Sequence, residues 1–318
     1  MAAVPGAREA GLRALEDLRS HDAWVLLPGD PGWPEPFGRT KPPLDLLFVR
    51  GQLEPARPTI AIVGSRHATH YGLSFATELA SALASDGCTI VSGGAIGIDG
   101  AAHRGALERG RTIVVLGGSL DHPYPPQHEP LFEEVLAGGG ALVSEAPFGT
   151  RPLAGLFPRR NRIIAALSHA VVVVQAASGS GSLITARLAR ELGVPVFAVP
   201  GAPGDAVAEG TKDLLRSGAQ LCLGPEEIRS ALGLSEPKET TVSPRGSARR
   251  LSGDPILNRL GHVIGVSPRP LDDLALAAGL SPQRTASAIT RLELMGLAAR
   301  APGGGFFRPP RALGKDAQ

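Results

Sequence analysis

The sequence is poor in cysteine, in aromatic side chains, in net charge and in long apolar runs. Its two cysteines, Cys88 and Cys222, stand in apolar surroundings without the spacing of metal ligands, which indicates buried reduced thiols rather than a disulfide or a zinc site. The formal net charge of +2 is too small for composition alone to indicate a nucleic-acid binder. No apolar run approaches membrane-spanning length, and the N-terminus has no signal-peptide core. These absences predict a cytoplasmic protein without a membrane segment.

The composition favours a core built from aliphatic residues. Aromatic residues make up 4% of the chain whereas 43% of it is hydrophobic, so alanine, valine, leucine and isoleucine must fill the interior. From residue 59 onward, short β-branched runs that end in glycine alternate with segments of helical spacing. The predicted strands cover residues 59–64, 88–94, 112–118, 141–145, 170–176 and 194–201.

These runs are apolar on both faces, as in central strands of a parallel sheet that helices cover on each side. A helix over residues 71–85, for example, offers one apolar stripe to such a sheet. Alternating strands and helices with short connections imply right-handed crossovers. The sequence therefore predicts an α/β, Rossmann-like, doubly wound parallel sheet.

A change of composition near residue 234 predicts a second domain. Residues 234–253 are polar and rich in charge, as in a linker, and residues 254–308 then show three helices followed by a hairpin with a glycine tip. This is the pattern of a small winged-helix domain. The predicted divisions are an N-terminal segment (1–57), a core (58–233), the linker (234–253), the winged helix (254–308) and a tail (309–318).

Three glycine-rich turns follow predicted strands and are expected to lie on one side of the sheet. Ligands of open parallel sheets bind beyond the carboxyl ends of the strands, where amides and helix N-termini favour anions. The alternative is that each glycine only permits a tight turn. Neither a P-loop lysine nor a GxGxxG sequence is present, so another polyanion is required. The candidate residues are Gly64, Ser65 and Arg66 of the first turn, Gly93 and Gly94 of the second, and residues 178–182 of the third.

A cluster of arginines precedes a predicted helix in the segment GLFPRRNRIIAALSHA. Arg159, Arg160 and Arg162 surround Asn161, with Phe157 beside them, a combination that suits a phosphate backbone and a stacked base. The alternative is a solvated face whose arginines pair with carboxylates of the same chain. The histidines form no set with the spacing of metal ligands, so no metal site is predicted.

Four ordered motifs resemble the DNA-processing protein A family, DprA or Smf. They are IAIVGSRHATHYG, VSGGAIGIDGAAHRGAL, FPRRNRIIAALSHAVVVVQA and SGSLITARLARELGVPVFAVPG, and the likeness runs from about residue 44 to about residue 228. The resemblance implies an extended Rossmann fold that binds single-stranded DNA, forms a homodimer and loads a RecA-type recombinase onto incoming DNA in natural transformation. It implies a binding protein without enzyme activity, and no cofactor is expected. The winged helix could contact duplex DNA or a protein.

The resemblance also assigns roles to particular residues. Those implied to line the DNA groove are Gly64, Ser65, Arg66, Gly93, Gly94, Arg160, Asn161 and Arg162; those of the phosphate-binding turn are Ser180, Gly181, Ser182 and Thr185. The sequence departs from the family's usual pattern at Gln175, Val194 and Lys212.

Two other functions stay open from the residues. A nucleotide-binding phosphoribohydrolase shares this type of core but needs a carboxylate close to the third turn, where the first acidic residue is Glu191. A nucleotide-sensing regulator could instead use its winged helix to bind duplex DNA.

Overall fold

The computed structural model describes residues 15–53, 58–202, 204–234, 255–264, 269–301 and 304–307. The chain separates into two compact units, Met1–Pro237 and Lys238–Gln318, which are described one at a time. The predicted linker from residue 235 onward and the predicted tail (309–318) lie outside the described residues.

A mostly parallel sheet forms the centre of the first unit. Its strands are β1 (Ala23–Leu26), β2 (Leu47–Gly51), β3 (Thr59–Val63), β4 (Thr89–Ser92), β5 (Arg111–Val115), β6 (Ala141–Ser144), β7 (Ala170–Val173), β8 (Val196–Ala198) and β9 (Gln220–Leu221). They lie in the order β1-β2-β6-β5-β4-β3-β7-β8-β9. Pairs from β6 through β9 are parallel, whereas β1 and β2 extend the sheet in antiparallel register.

The doubly wound prediction is confirmed, and all six predicted strands form. From β3 the chain builds outward through β4, β5 and β6, then returns to place β7 on the other side of β3. The direction of winding therefore reverses between β3 and β7, and at such a switch point the loops after the two strands diverge to leave a crevice. The sequence did not predict β1, β2 or β9, which are edge or near-edge strands with little or partial burial.

Helices cover both faces of this sheet. In the first unit they are α1 (His70–Ser85), α2 (Ile98–Leu107), α3 (Glu129–Ala137), α4 (Leu156–Leu167), α5 (Gly181–Glu191), α6 (Glu209–Arg216) and α7 (Pro225–Leu232). Alternate residues of β3 supply the two cores: Ile60 and Ile62 pack with α1 and α2, whereas Ala61 and Val63 belong to the core that α4 and α5 complete. Both faces of the strand are thus buried, which explains why it has no polar residue after Thr59.

The second unit has the predicted three helices and a short hairpin. The helices are α8 (Pro255–Val263), α9 (Leu271–Ala278) and α10 (Pro282–Leu294), and β10 (Ala299–Arg300) pairs with β11 (Phe306–Phe307) in antiparallel register. Gly279 ends α9 in the left-handed conformation at a φ of 62°, and the Ser281 side chain then caps α10. Leu260, Leu274 and Ile289 lie in the small core between the helices. This is a winged-helix arrangement.

Two expectations from composition can be compared with the described residues. Cys88 and Cys222 are both buried and free, and burial raises the pKa of their thiols to about 11 and about 12. Both thiols are therefore protonated and unreactive at neutral pH. Within the described ranges, no helix combines the length and the apolar character that a membrane crossing needs.

One buried histidine ties α2 to the sheet. The Thr112 hydroxyl donates to the Ile90 carbonyl at 2.8 Å and is 2.7 Å from His103 Nδ1, so His103 Nδ1 carries the proton and donates to Thr112. His103 Nε2 is buried and has no partner among the described residues. Burial, followed by the positive charges of neighbouring side chains, lowers the pKa of His103 to about 3.

We predict that His103→Gln reduces the loss of stability in acid. A histidine in the unfolded chain titrates near pH 6.5 and the folded one near pH 3, so the unfolded state binds more protons in this window. Each decrease of one pH unit therefore lowers the free energy of unfolding by up to about 1.4 kcal/mol through this one residue. Urea unfolding between pH 7 and pH 4 measures the slope, with the exposed His67→Gln as the matched control. Equal slopes for the wild type and His103→Gln would contradict the prediction.

Candidate functional site

The first loop (residues 64–69) connects β3 to α1 at the switch point. Ser65 N–H donates to the Gln175 carbonyl at 2.7 Å, and the Ser65 carbonyl accepts from Ile98 N–H at 3.2 Å. Gly64 must lack a side chain because a Cβ there would lie 2.7 Å from Ile98 Cγ1 and 2.9 Å from the Gln175 carbonyl oxygen. Arg66 is exposed, and its guanidinium carbon lies 5.3 Å from the centre of the Phe157 ring. The loop therefore holds its backbone against the protein and presents one free cationic side chain to solvent.

The second loop (residues 93–97) connects β4 to α2 and packs against the first. Gly94 and Gly97 have φ angles of 71° and 83°, which favour glycine. A Cβ at Gly94 would also lie 2.7 Å from Val114 Cγ1, and one at Gly97 would lie 2.8 Å from the Arg66 carbonyl oxygen. A side chain at Gly94 would therefore collide with the Val114 side chain, and one at Gly97 would collide with the backbone of the first loop.

The third loop (residues 176–180) leads into α5. Ser180 caps the helix by accepting from Ser182 N–H at 3.4 Å, and the two hydroxyls lie 2.9 Å apart. Gly181 is exposed with open space around its α-carbon, whereas Ser182 and Thr185 are 8% and 1% exposed. Of the predicted phosphate-binding turn, Gly181 is exposed to solvent, Ser180 is partly exposed, and the Thr185 side chain faces the core.

Arg160, Asn161 and Arg162 lie inside α4 rather than in a loop before it. They are 7%, 8% and 2% exposed. Arg160 Nη1 donates to the carbonyl oxygens of Gly93 and Val115, and Asn161 Nδ2 donates to the Gly181 carbonyl at 3.1 Å. These two side chains therefore connect α4 to the second loop, to the end of β5 and to the start of α5.

The arginine pairing foreseen as an alternative occurs in part. Glu145 Oε1 accepts from Arg162 Nη2 at 2.6 Å and from Arg159 Nη2 at 2.9 Å. Only Arg159 is well exposed, with 53% of its side chain accessible. The two ion pairs are therefore partly buried and do not form a solvated face. Burial lowers the pKa of Arg162, and the adjacent carboxylate of Glu145 acts in the opposite direction.

A second buried charge accompanies Arg160. Burial raises the pKa of the Asp99 carboxyl above its usual range, while the positive charge of Arg160 and the Ala95 amide, which donates to Asp99 Oδ2 at 3.3 Å, favour its ionised form. Burial likewise lowers the pKa of Arg160 to about 10, with Asp99 opposing the shift. Each of the two charges compensates for part of the desolvation of the other.

Aromatic residues lie beside the exposed guanidinium of Arg66. Phe157 at the start of α4 is half buried, with Gly117 so close beneath that a Cβ there would be 2.8 Å from Phe157 Cδ1. The Tyr124 ring lies 5.7 Å from the Phe157 ring and is 44% exposed. The result is a partly exposed aromatic surface with a cation above it, an arrangement that can stack planar groups.

Sequence reasoning missed two of the side chains that fix these loops. His128 Nδ1 lies 2.9 Å from the Gly94 carbonyl, and the Gln175 carboxamide contacts Thr69 at the end of the first loop. His128 follows a proline-rich turn and Gln175 follows a strand, so no periodic pattern indicated either contact. Among the described residues, no group of three or more His, Cys, Asp and Glu side chains could hold a metal ion.

Comparisons with known proteins identify relatives of this chain. A sequence profile of the family "DNA recombination-mediator protein A" matches residues 24–233, and a profile of the DprA winged helix domain matches residues 245–304. Protein Smf of Escherichia coli (strain K12) is 40% identical over 314 residues, which cover 96% of this chain and 81% of that protein. DNA processing protein DprA of Bacillus subtilis (strain 168) is 42% identical over 190 residues, covering 58% of this chain and 63% of that one.

Two solved structures share the fold. DNA processing protein A from Streptococcus pneumoniae superposes with a TM-score of 0.62 at 35% identity, covering 68% of this chain and 77% of that one. DNA processing protein A from Helicobacter pylori, whose structure gives insights into its unique single-stranded DNA binding mode, superposes with a TM-score of 0.59 at 33% identity. That alignment covers 66% of this chain and 95% of the Helicobacter protein.

We predict that Gly93→Ala destabilises the fold, although the residue belongs to the second loop. A Cβ at this position would lie 2.6 Å from Arg160 Nη1 and Nη2, and the guanidinium cannot withdraw without leaving the carbonyls of Gly93 and Val115. We expect a loss of about 1–3 kcal/mol in the free energy of unfolding, as for other overpacked sites. Chemical denaturation measures it, with Gly155→Ala as the control because a Cβ there meets open space. Equal stability of the two variants would show that Arg160 moves freely.

Proposed function

Because the chain belongs to the DNA recombination-mediator protein A family, we propose that it binds single-stranded DNA and loads a RecA-type recombinase onto DNA taken up in natural transformation. The family and its DNA-processing role follow from the similarity itself; the ligand and the recombinase are the proposal. The likeness to the Helicobacter pylori protein supports the choice of ligand.

One observation carries this proposal: the three joined loops present exposed groups that suit a nucleic-acid strand. Arg66 offers an exposed guanidinium over the Phe157 ring, and the exposed backbone at Gly181 lies at the N-terminus of an eleven-residue helix. A guanidinium can bind a phosphate through two hydrogen bonds, a helix N-terminus favours anions, and an aromatic face can stack a base. Two of these interactions bind phosphates, which duplex and single strands both present, and the third stacks a base, whose face is accessible only when the strand is unpaired.

The predicted site residues take two different roles in this proposal. Gly64, Ser65, Arg66, Gly93, Gly94, Ser180, Gly181 and Ser182 belong to the loops and helix start that would approach the phosphates. Arg160, Asn161, Arg162 and Thr185 are buried and would act from beneath, by fixing the loops against α4 and α5. Such binding depends on backbone and stacking, so we expect little sequence preference and a strong dependence on salt.

We propose a binding role rather than a catalytic one. Glycosidic cleavage at the third loop requires a carboxylate within hydrogen-bond reach, and Glu191, the one acidic residue of α5, is at the far end of that helix and paired with Arg187 at 2.5 Å. Glu145 is engaged by two arginines, and Asp99 is 8% exposed. As further parts of the proposal, the protein acts as a homodimer in the cytoplasm, and its winged helix contacts duplex DNA or a protein partner.

We predict that Arg66→Ala weakens binding of a fluorescent oligothymidylate by about tenfold to a hundredfold, the loss expected when a charged hydrogen-bonding group is removed. The slope of log affinity against log salt should fall by about 0.7, because one phosphate contact is lost. Fluorescence anisotropy at several salt concentrations measures both quantities, with a duplex of the same length for comparison. Arg216→Ala is the control, since that side chain is 68% exposed on α6 and is expected to leave affinity unchanged. Unchanged affinity in Arg66→Ala would remove this residue from the site.

Recombinase loading needs a separate experiment. We expect the wild-type protein to shorten the lag in ATP hydrolysis by a RecA-type recombinase on DNA coated with single-strand-binding protein. Arg66→Ala should restore the lag, because the mediator must hold the strand to deliver the recombinase. Tight DNA binding with no effect on the lag would overturn the loading role and leave the DNA-binding role intact.

A further inference from the structure

The first loop is attached at both ends to a single residue, Gln175. Its carbonyl oxygen accepts from Ser65 N–H at 2.7 Å, at the start of the loop. Its side-chain Oε1 accepts from Thr69 N–H at 2.9 Å, and its Nε2 donates to Thr69 Oγ1 at 2.8 Å, at the end of the loop. Gln175 therefore fixes the distance between the two ends of the segment that carries Arg66.

The Gln175 carboxamide has little freedom to move. The residue is 3% exposed, and it packs so closely on α1 that a Cβ at Gly72 would lie 2.7 Å from Gln175 Cδ. Both polar atoms of the carboxamide, Oε1 and Nε2, form hydrogen bonds with Thr69. Because this buried group is held in one position, it also holds the loop that it contacts in one position.

The same contact sets the start of α1. Thr69 is the N-cap of that helix, and its Oγ1 accepts from Gly72 N–H at 3.2 Å while it also accepts from Gln175 Nε2. One hydroxyl thus joins the end of the loop, the first turn of α1 and the end of β7. The loop has a defined exit as well as a defined entry.

Arg66 itself makes no such fixed contact. It is exposed, and the described contact of its guanidinium is the face of the Phe157 ring at 5.3 Å. A long side chain in this setting loses rotamer freedom when it binds a phosphate, so a backbone that already places it correctly reduces the cost of binding. The position of Arg66 relative to Phe157 depends on the course of the loop that Gln175 holds.

We propose that Gln175 is a positioning residue for the DNA interface, which acts by holding the first loop so that Arg66 lies over Phe157. The inference rests on the proposed function, in which Arg66 contacts the strand. Gln175 is too buried to touch the DNA, and its effect must therefore pass through Arg66. A purely structural role would instead weaken the whole protein and reduce binding in the same way whether or not Arg66 is present.

A double-mutant cycle separates these two roles. The variants are Q175L, R66A and the Q175L/R66A pair, each measured for affinity and salt slope with the oligothymidylate probe and for thermal stability. Q175E tests for rescue, because a carboxylate of the same shape can accept from both Thr69 N–H and the Thr69 hydroxyl. Q52L makes the matched change at an exposed glutamine and is the control. Q175N is a milder change, because it retains a carboxamide but is one methylene shorter. It is measured both with Arg66 present and in the R66A background.

We expect Q175L and Q175N to weaken binding by about fivefold when Arg66 is present and by less than about twofold in the R66A background. The salt slope should fall by about 0.7 in Q175L, as in R66A, and should not fall further in the pair. Q175E and Q52L should bind within about twofold of the wild type.

Two results would overturn the inference. One is that Q175L and Q175N each weaken binding by the same factor with Arg66 present as in the R66A background, which would show that Gln175 supports the fold without acting through Arg66. The other is wild-type binding by Q175L or Q175N with an unaltered salt slope. If instead R66A alone binds like the wild type, the proposed role of Arg66 in DNA binding fails, and the fault lies with the proposed function rather than with the positioning of the loop.

Discussion

The guanidinium of Arg160 lies beneath the loops at the carboxyl ends of β4 and β5, where it donates to the carbonyl oxygens of Gly93 and Val115. A cation that is 7% exposed loses most of its hydration, and these carbonyls and the Asp99 carboxyl offset part of that cost. Residue 93 must be glycine because the guanidinium occupies the space of a side chain. The shape of the second loop, the position of α4 and the burial of Asp99 all depend on this one contact.

In the site, buried polar side chains hold the loops in place, and other groups remain exposed to solvent. Each loop is fixed from below by a polar side chain of another element: Gln175 for the first, Arg160 for the second and Asn161 for the backbone at Gly181. The exposed groups include Gly181, Arg66 and part of an aromatic surface. In the proposed function, a flexible polyanion would therefore meet loops whose geometry is set in advance, which reduces the entropy that the loop backbone loses on binding.

The sequence predicted the central strands and their winding well, because runs such as that of β3 are apolar on both faces and glycine marks their ends. It failed for β1, β2 and β9, which are short strands at or next to the edges of the sheet and carry no such pattern. It located the loops of the site but not the depth of the arginines, because three successive polar residues look like a surface and only packing of α4 on all sides buries them. The contacts of Gln175 and His128 join positions 106 and 34 residues apart, and no local pattern in a single sequence reports such distances.

Those sequence separations have a consequence for the protein during synthesis. Arg160 binds a carbonyl 67 residues earlier in the chain, and Asn161 binds one 20 residues later. The first and second loops are therefore incomplete until the segment through Gln175 has been made and has packed. A growing or truncated chain that ends before Arg160 presents the first two glycine loops without their supports, so the finished surface distinguishes longer chains from such fragments.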